Sequence, residues 1–130
     1  MIKLLLENKM VDINRKDEFG RNALFIAAKH ANEGVMRVLL AKGIRIYQFD
    51  KDGNNVLHFC ARYERRFSIL NKLVKLAYDL ELVNSSGDTA IHIAACKGNI
   101  RSLKCLLDAG AQINKLNSSS LSPLYLAILN

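Results

Sequence analysis

The sequence predicts an all-α solenoid of stacked helix-turn-helix units that are joined by hairpin-like loops. A four-residue phrase returns along the chain at intervals of 33, 34 and 33 residues. A polar turn precedes each phrase, and apolar residues at helical spacing follow it. A repeat period of roughly 20 to 50 residues is typical of a stacked array. The copies of the phrase are Asn22-Ala23-Leu24-Phe25, Asn55-Val56-Leu57-His58, Thr89-Ala90-Ile91-His92 and Ser122-Pro123-Leu124-Tyr125.

Each unit begins with a polar turn. Its pattern is Asp or Asn, two variable residues and Gly, because Asp and Asn bond to their own backbone in turns and Gly permits a positive φ. The turns are Asp17-Glu18-Phe19-Gly20, Asp50-Lys51-Asp52-Gly53 and Asn84-Ser85-Ser86-Gly87, and a further copy, Asn117-Ser118-Ser119-Ser120, lacks the Gly.

The first helix of each unit follows the turn. The Asn, Thr or Ser at the start of the phrase can accept a hydrogen bond from an unpaired backbone N–H and so cap the helix. Pro123 then falls at the first helical position, where its missing N–H carries no penalty. The predicted helices are Leu24–Ala31, Leu57–Tyr63, Ile91–Lys97 and one that starts at Leu124.

A second helix completes each unit. Apolar residues at i, i+3 and i+4 form one stripe on an amphipathic helix. Gly43 and Gly110 then fit the left-handed position that ends such a helix. The stripes are Val35, Val38 and Leu39 in one unit and Leu103, Leu106 and Leu107 in another.

With this order of turn, helix, tight loop, helix and loop, the chain resembles the ankyrin-repeat family. The resemblance implies one ankyrin-repeat domain, 1–130, with a partial repeat at 1–16, complete repeats at 17–49, 50–83 and 84–116, and a partial repeat at 117–130. The fourth repeat matches the family pattern at Gly87, Thr89, Ile91, His92, Ala94, Ala95, Gly98, Leu106, Leu107, Gly110, Ala111 and Asn114.

Three departures from the family pattern carry expectations. The third repeat is one residue longer than its neighbours, and Glu64 and Ala77 replace its usual glycines, so we expect the Arg62–Arg66 loop and the second helix of this repeat to be irregular. The first repeat consists of a second helix alone, Ile2–Leu6. Both ends lack the polar caps that close such arrays, so we expect exposed apolar ends that self-associate or meet further repeats. The apolar residues concerned are Ile2, Leu5 and Leu6, and Leu124, Leu126, Ala127, Ile128 and Leu129.

Composition narrows the class of protein. The longest apolar runs have six residues, far below the ~20 of a membrane helix, so we expect no membrane insertion. Three cysteines form an odd and sparse set, which favours a reducing compartment, cytoplasmic or nuclear. The formal net charge of +7 bears on partners and solubility rather than on the fold.

The residues that could carry chemistry favour structural roles. His58 and His92 occupy a helix-start position where the histidine of this family bonds locally. His92 and Cys96 have a metal-compatible i, i+4 spacing, but two ligands do not make a zinc site. Cys60 stands where other repeats carry alanine, and a cysteine packs there as a small hydrophobe. No phosphate-binding loop, zinc-protease motif or nucleophile elbow is present, so we expect no enzyme activity and no cofactor.

The resemblance also implies where a partner binds. In ankyrin arrays partners contact the turn tips and the exposed ends of the first helices, which together form a concave groove. Basic residues at matching positions of successive repeats suit a partner that is acidic at its contact site. The predicted partner-binding residues are Phe19, Arg21, Lys29, His30, Phe49, Lys51, Asn54, Arg62, Tyr63, Asp88 and Lys97. Phe19 and Phe49 could instead fold over the neighbouring repeat.

These observations predict a non-enzymatic protein–protein interaction scaffold. One alternative is a regulatory or targeting module of a larger enzyme or channel. A less favoured one is a basic nucleic-acid-binding surface, because no nucleic-acid motif accompanies the charge. An inhibitor of Rel-type transcription factors ranks lower still, since those partners are basic and so is this chain.

Overall fold

The computed structural model describes residues 12–76 and 79–130, and these contain seven α-helices and no strand. The predicted all-α class is therefore confirmed. The predicted helix Ile2–Leu6 and the substitution at Ala77 lie outside the described residues. The helices are α1 (Ala23–Lys29), α2 (Glu33–Ala41), α3 (Val56–Arg62), α4 (Phe67–Val74), α5 (Ala90–Cys96), α6 (Ile100–Asp108) and α7 (Pro123–Leu129), with a 3-10 helix at Glu64–Arg66.

Side-chain caps set the start of the first helices. Asn22 Oδ1 accepts from Phe25 N at 3.2 Å, and Asn55 Oδ1 accepts from His58 N at 3.0 Å. Each helix begins directly after its cap, one residue before the predicted start, and Pro123 is at the first helical position as expected. The prediction that the first of these helices continues to Ala31 is wrong, because Ala31 adopts a left-handed conformation with φ 54°.

Helices α2 and α6 are followed by left-handed glycines, as the sequence predicts. Gly43 has a φ of 83° and Gly110 a φ of 100°. The residue after each glycine donates its backbone N–H back into the last turn of the helix. The bonds are Ile44 N to Leu39 O at 3.2 Å and Ala111 N to Leu106 O at 3.0 Å. These bonds satisfy carbonyls that a helix end otherwise leaves unpaired.

Consecutive turns are joined by backbone hydrogen bonds. Within a turn, the first side chain accepts two N–H groups; Asp50 Oδ1, for example, accepts from Asp52 N and Asn54 N, each at 2.9 Å. This closes the turn and leaves its tip free to pair with the next turn. The bonds between turns are Lys51 N to Phe19 O at 3.0 Å, Ser85 N to Asp52 O at 3.0 Å and Ser118 N to Ser86 O at 3.1 Å.

The core lies between the layers of helices. The first helices form one layer, in which α1 packs on α3, α3 on α5 and α5 on α7. Alanine at one matching position of three successive first helices lets these helices approach closely; these alanines are Ala28, Ala61 and Ala95, all fully buried. Leucines of the second helices seal the other side, and those at one matching position, Leu39, Leu73 and Leu106, are fully buried.

The loops after the second helices are also tied together across repeats. At one matching position the side chain is Asn, Tyr or Glu, and each accepts a backbone N–H from the following repeat. The position therefore requires an acceptor rather than a particular residue. The bonds are Arg45 N to Asn14 Oδ1 at 3.1 Å, Asp79 N to Tyr47 Oη at 2.8 Å and Gln112 N to Glu81 Oε2 at 3.1 Å.

The Arg62–Arg66 loop of the third repeat is irregular, as expected, because the 3-10 helix Glu64–Arg66 between α3 and α4 absorbs the extra residue. The expectation of an irregular second helix is wrong, since α4 is a regular α-helix over Phe67–Val74. Arg66 then occupies the position that Asn99 holds in the fourth repeat, just before the second helix. Asn99 Nδ2 donates to Ala61 O at 2.8 Å, and Arg66 Nη2 donates to Lys29 O at 2.6 Å. Both side chains thus tie a second helix to the first helix of the preceding repeat.

The C-terminal end exposes most of its predicted apolar residues. Leu124, Ile128 and Leu129 are exposed, and Ile128 reaches 73%. The expectation of exposure is wrong for Leu126, which is buried at 8% in a helix that packs on α5, and Ala127 is half-buried. Ile128 occupies the position where three earlier repeats bury an alanine.

Because consecutive turns approach so closely, replacing Gly87 by alanine should destabilise the protein. The added Cβ would lie 2.7 Å from Ser118 N, and φ is +74°. Gly98 is a matched control, since its φ is +68° and a Cβ there would meet nothing within 4 Å. We expect Gly98→Ala to cost about 1 kcal/mol for the left-handed conformation and Gly87→Ala about 1 kcal/mol or more beyond that.

Urea unfolding of both variants measures the difference. Equal losses of unfolding free energy would show that the turns can separate at no cost, contrary to the close packing described above.

Candidate protein-binding surface

Both buried histidines are held by the fold. The backbone N–H groups of Asn55 and Thr89 donate to Nδ1 of His58 and His92, at 3.0 and 3.1 Å. Nε2 of His58 lies 2.9 Å from Asp88 O of the following repeat. Nε2 of His92 lies 2.8 Å from Lys115 O of its own repeat and 3.2 Å from Leu121 O of the following one. Burial lowers the pKa of His58 below its ordinary value. The structural role inferred from the sequence is confirmed.

The three cysteines are free thiols in different environments. Cys60 is buried, and burial raises the pKa of its thiol to about 12. Cys96 is exposed, and Cys105 is half-buried, with Sγ donating to Asn71 Oδ1 at 3.6 Å. Burial also raises the pKa of the Cys105 thiol. Nowhere in residues 12–76 and 79–130 do three or more His, Cys, Asp or Glu side chains come together as metal ligands.

We call the eleven predicted partner-binding residues and their immediate neighbours the groove surface. The structure brings three of the eleven together: Asn54, Arg62 and Tyr63 line one cleft of about 350 Å³. Its other walls are two aromatic rings and two turn carboxylates, contributed by Phe25, Phe59, Asp50 and Asp52. A neighbouring cleft of about 300 Å³ is lined by Lys29, Phe59, Tyr63, Arg65 and Arg66.

An aromatic cluster supports these two clefts. Phe25 and Phe59 pack edge to face with ring centroids 6.1 Å apart, and Phe59 and Tyr63 follow at 5.1 Å. Tyr63 is held on one side and remains 49% exposed on the other. The sequence reasoning missed Phe25 and Phe59. The i, i+4 spacing of Phe59 and Tyr63 on one helix was the available signal.

The turn of the second repeat presents a separate group of aromatic and charged side chains. The Arg21 guanidinium carbon lies 4.8 Å from the centre of the Phe19 ring, and Nη2 pairs with the Asp17 carboxylate at 3.0 Å. Phe19 is 51% exposed, so its ring faces solvent, and Phe49 is exposed to a lesser degree. The charge on Arg21 is therefore partly neutralised within its own turn.

Two predicted contact residues are occupied by bonds between turns. Asn84 Nδ2 donates to Asn54 Oδ1 at 3.0 Å, and Asn117 Nδ2 donates to Asp88 Oδ1 at 2.8 Å. Asn54 and Asp88 are accordingly only half exposed. The remaining predicted residues, Lys29, His30, Lys51 and Lys97, are exposed, but His30, Lys51 and Lys97 line neither cleft.

The charge of the groove surface is close to balanced. The turn tips and the ends of the first helices together carry seven cations and six anions. The anions are concentrated at the turns and the cations at the helix ends. The cations are Arg21, Lys29, Lys51, Arg62, Arg65, Arg66 and Lys97, and the anions are Asp17, Glu18, Asp50, Asp52, Glu64 and Asp88.

The lowered pKa of His58 gives a pH dependence of stability. Its folded pKa lies below the unfolded value of about 6.5, so the unfolded state binds the proton more readily. The contribution of His58 is complete above about pH 6.5 and falls as the pH drops, by up to about 1.4 kcal/mol for each pH unit. Urea unfolding near pH 7.5 and pH 5.5 measures this loss.

His58→Phe is the test variant, because Phe25 fills the same position one repeat earlier, and exposed His30→Ala is the control. We expect His58→Phe to weaken the pH dependence and His30→Ala to leave it unchanged. If the stability of both His58→Phe and His58→Gln depended on pH as strongly as that of the wild type, His58 would not be the source of the pH dependence.

None of the helices in the two described ranges has the length and hydropathy that a bilayer crossing requires.

Comparison with known proteins finds relatives that match most of the length of this chain. The human transient receptor potential cation channel subfamily A member 1 is 31% identical over 121 residues, covering 88% of this chain and 11% of that protein. The nuclear factor NF-kappa-B p105 subunit of Rattus norvegicus is 31% identical over 110 residues, covering 83% and 11%. An L-asparaginase of Dirofilaria immitis is 30% identical over 129 residues, covering 98% and 21%.

The chain thus spans about a tenth to a fifth of the length of these relatives, so their activities are properties of much longer proteins. A family model described as ankyrin repeats, in three copies, matches residues 1–82 and 65–130. These matches include the turns, capped helices and left-handed glycines described above. The chain belongs to the ankyrin-repeat family.

Proposed function

We propose that this chain is a non-enzymatic scaffold that binds a segment of another protein through the groove surface. Ankyrin repeats are protein–protein interaction modules, and the chain carries them along its length. The two clefts beside Tyr63 supply concave, partly apolar contact sites between neighbouring repeats. Binding through them requires no chemistry on this chain.

The Arg62–Tyr63 pair is the observation that carries this proposal. Tyr63 offers half of its surface to solvent while Phe59 holds the ring in place, so little side-chain entropy is lost on binding. Arg62 lines the same cleft and is half-buried. Tyr and Arg in such settings dominate the energy of many interfaces.

The partner segment that fits this surface is acidic where it meets the helix ends. Lys29 and Arg62 are the last residues of α1 and α3, Lys97 directly follows the last residue of α5, and their charges favour carboxylates. The turn tips carry Asp52 and Glu18, so the opposite edge of the same segment is basic or polar. We therefore place the acidic contact on the helix-end row rather than along the whole groove surface.

A second candidate is a regulatory or targeting module within a larger enzyme or channel. The observation that favours it is the small share, 11%, that the chain covers of a channel subunit and of a transcription-factor subunit. The groove surface would then bind a segment of the same polypeptide. For either function we propose a cytoplasmic or nuclear location, in keeping with three free thiols.

Replacing Arg62 and Tyr63 together by alanine should weaken partner binding by roughly 2 kcal/mol or more, because it removes the central contacts of the cleft. Arg45→Ala is the matched control, since Arg45 is exposed and lies outside the groove surface. The partner is captured from a lysate and its affinity is measured by calorimetry at two salt concentrations. Higher salt should weaken wild-type binding by screening the charges.

Equal affinities of the wild type and the double variant would place the site elsewhere. Unchanged affinity at high salt would argue against an acidic contact while leaving the position of the site intact.

We also propose that the apolar C-terminal face self-associates. Leu124, Ile128 and Leu129 are exposed on α7, and contiguous apolar surface of this kind marks contact sites. Sedimentation should show a species heavier than the monomer as concentration rises, and Ile128→Lys should remove it. A strict monomer at high concentration would contradict this proposal without affecting the groove surface.

A further inference from the structure

Positive charge is concentrated on the second helices. Helices α2, α4 and α6, with the residue that follows each of α2 and α4, carry six cations and two anions. This excess of four contrasts with an excess of one on the groove surface. All six cations are exposed. We call this the second-helix face; its cations are Arg37, Lys42, Lys72, Lys75, Arg101 and Lys104, and its anions are Glu33 and Asp108.

An open cavity of about 390 Å³ lies between α4 and α6 on this face. Its half-buried lining is largely apolar, with Phe67, Val74 and Cys105, whereas its charged lining residues are exposed. The Arg101 guanidinium carbon lies 4.3 Å from the centre of the Phe67 ring, which holds this cation at the edge of the cavity. An apolar recess is thus bordered by fixed positive charge.

The cations beside the cavity have no carboxylate partner among the described residues. On the second-helix face, the salt bridge joins Lys72 to Glu33, between α4 and α2. In residues 12–76 and 79–130, no acidic side chain reaches salt-bridge distance of Lys75, Arg101 or Lys104. Three neighbouring cations therefore remain available to anions from outside the chain.

We propose that the second-helix face is a second docking surface, which takes an acidic segment of a partner protein with one large apolar side chain inserted between α4 and α6. Carboxylates of the segment pair with Lys75, Arg101 and Lys104. Its apolar side chain fills the recess at Phe67, Val74 and Cys105. The surface shares no residue with the groove surface, so both sites can be occupied at once.

The lining of the cavity favours a peptide over a nucleic acid or a lipid surface. Asp108 contributes a carboxylate to the cavity wall, which accepts hydrogen bonds from the backbone N–H groups of a peptide, and a phosphate backbone has no such donors. A phosphate backbone also leaves the apolar recess unfilled. A peptide supplies carboxylates, N–H donors and an apolar side chain together.

The probe is a short synthetic peptide of glutamates with one central tryptophan. Cys105 lines the cavity and reports its occupancy through the rate of alkylation. The reporter protein carries Cys96→Ser, which removes the exposed thiol, while Cys60 is buried. We expect saturating peptide to slow alkylation of Cys105 about tenfold, and Arg101→Glu with Lys104→Glu to weaken peptide binding about tenfold or more.

The matched control is the double variant Lys16→Glu with Arg45→Glu. Both residues are exposed and lie outside both surfaces, and the two substitutions change the net charge as much as those at Arg101 and Lys104 do. This control, and the Arg62 and Tyr63 double variant, should bind the peptide within about threefold of wild type. A peptide with glutamine in place of glutamate should not bind. A peptide with serine in place of tryptophan should bind about tenfold more weakly.

Any one of five results would overturn the proposal. The peptide fails to bind, or it binds without protecting Cys105. The control double variant loses as much affinity as the Arg101 and Lys104 variant, which indicates general charge attraction. The serine peptide binds as well as the tryptophan peptide. Duplex DNA or phosphatidylserine vesicles compete for the face more strongly than the peptide does.

Discussion

The backbone hydrogen bond between consecutive turns is the constraint on which the rest of this structure depends. Lys51 N, Ser85 N and Ser118 N each donate to the turn before them, at 3.0 to 3.1 Å. These bonds set the distance between repeats at one edge of the array. Away from that edge, the buried alanines of the first helices and the side-chain acceptors in the loops after the second helices keep the repeats at the same spacing. A side chain at Gly87 would collide with the following turn, because its Cβ would lie 2.7 Å from Ser118 N.

The same constraint decides what the polar residues of the core do. His58 and His92 each accept from their own cap, and His92 Nε2 also lies 2.8 Å from Lys115 O of its own repeat. Nε2 of each ring reaches a carbonyl of the following repeat, Asp88 O at 2.9 Å for His58 and Leu121 O at 3.2 Å for His92. Both imidazoles are thereby committed to holding repeats together. These two rings therefore serve the fold rather than a surface site.

The irregular third repeat shapes both proposed surfaces. Its extra residue forms the 3-10 helix Glu64–Arg66, which places Arg65 and Arg66 beside Tyr63 at the end of α3. It also places Arg66 at the position that Asn99 holds in the fourth repeat, and each of these side chains hydrogen-bonds to the preceding repeat. On the other side of the same repeat, α4 presents Phe67 to Arg101 of α6. The extra residue of the third repeat therefore lies between two sites where aromatic rings contact cations, namely the clefts beside Tyr63 and the cavity between α4 and α6.

The sequence by itself determined the class of fold, the order of its elements and the roles of its buried residues. A short phrase with a polar cap, a turn glycine and an apolar stripe repeats at a constant interval, and these signals are local. They place Pro123, Gly43, Gly110 and the two histidines as the structure does. Helix ends were less well determined, because Ala31 takes the left-handed conformation that glycine usually marks.

Only the tertiary structure decided which of the candidate surface residues act together. Matching positions suggested one row of cations, yet Asp88 and Asn54 prove to be bonded between turns, and Arg21 is paired within its own turn. The clefts beside Tyr63 and the cavity between α4 and α6 are formed by residues about 30 apart in the chain. Side chains from different repeats meet only once stacking fixes their separation, and a one-dimensional pattern does not contain that distance.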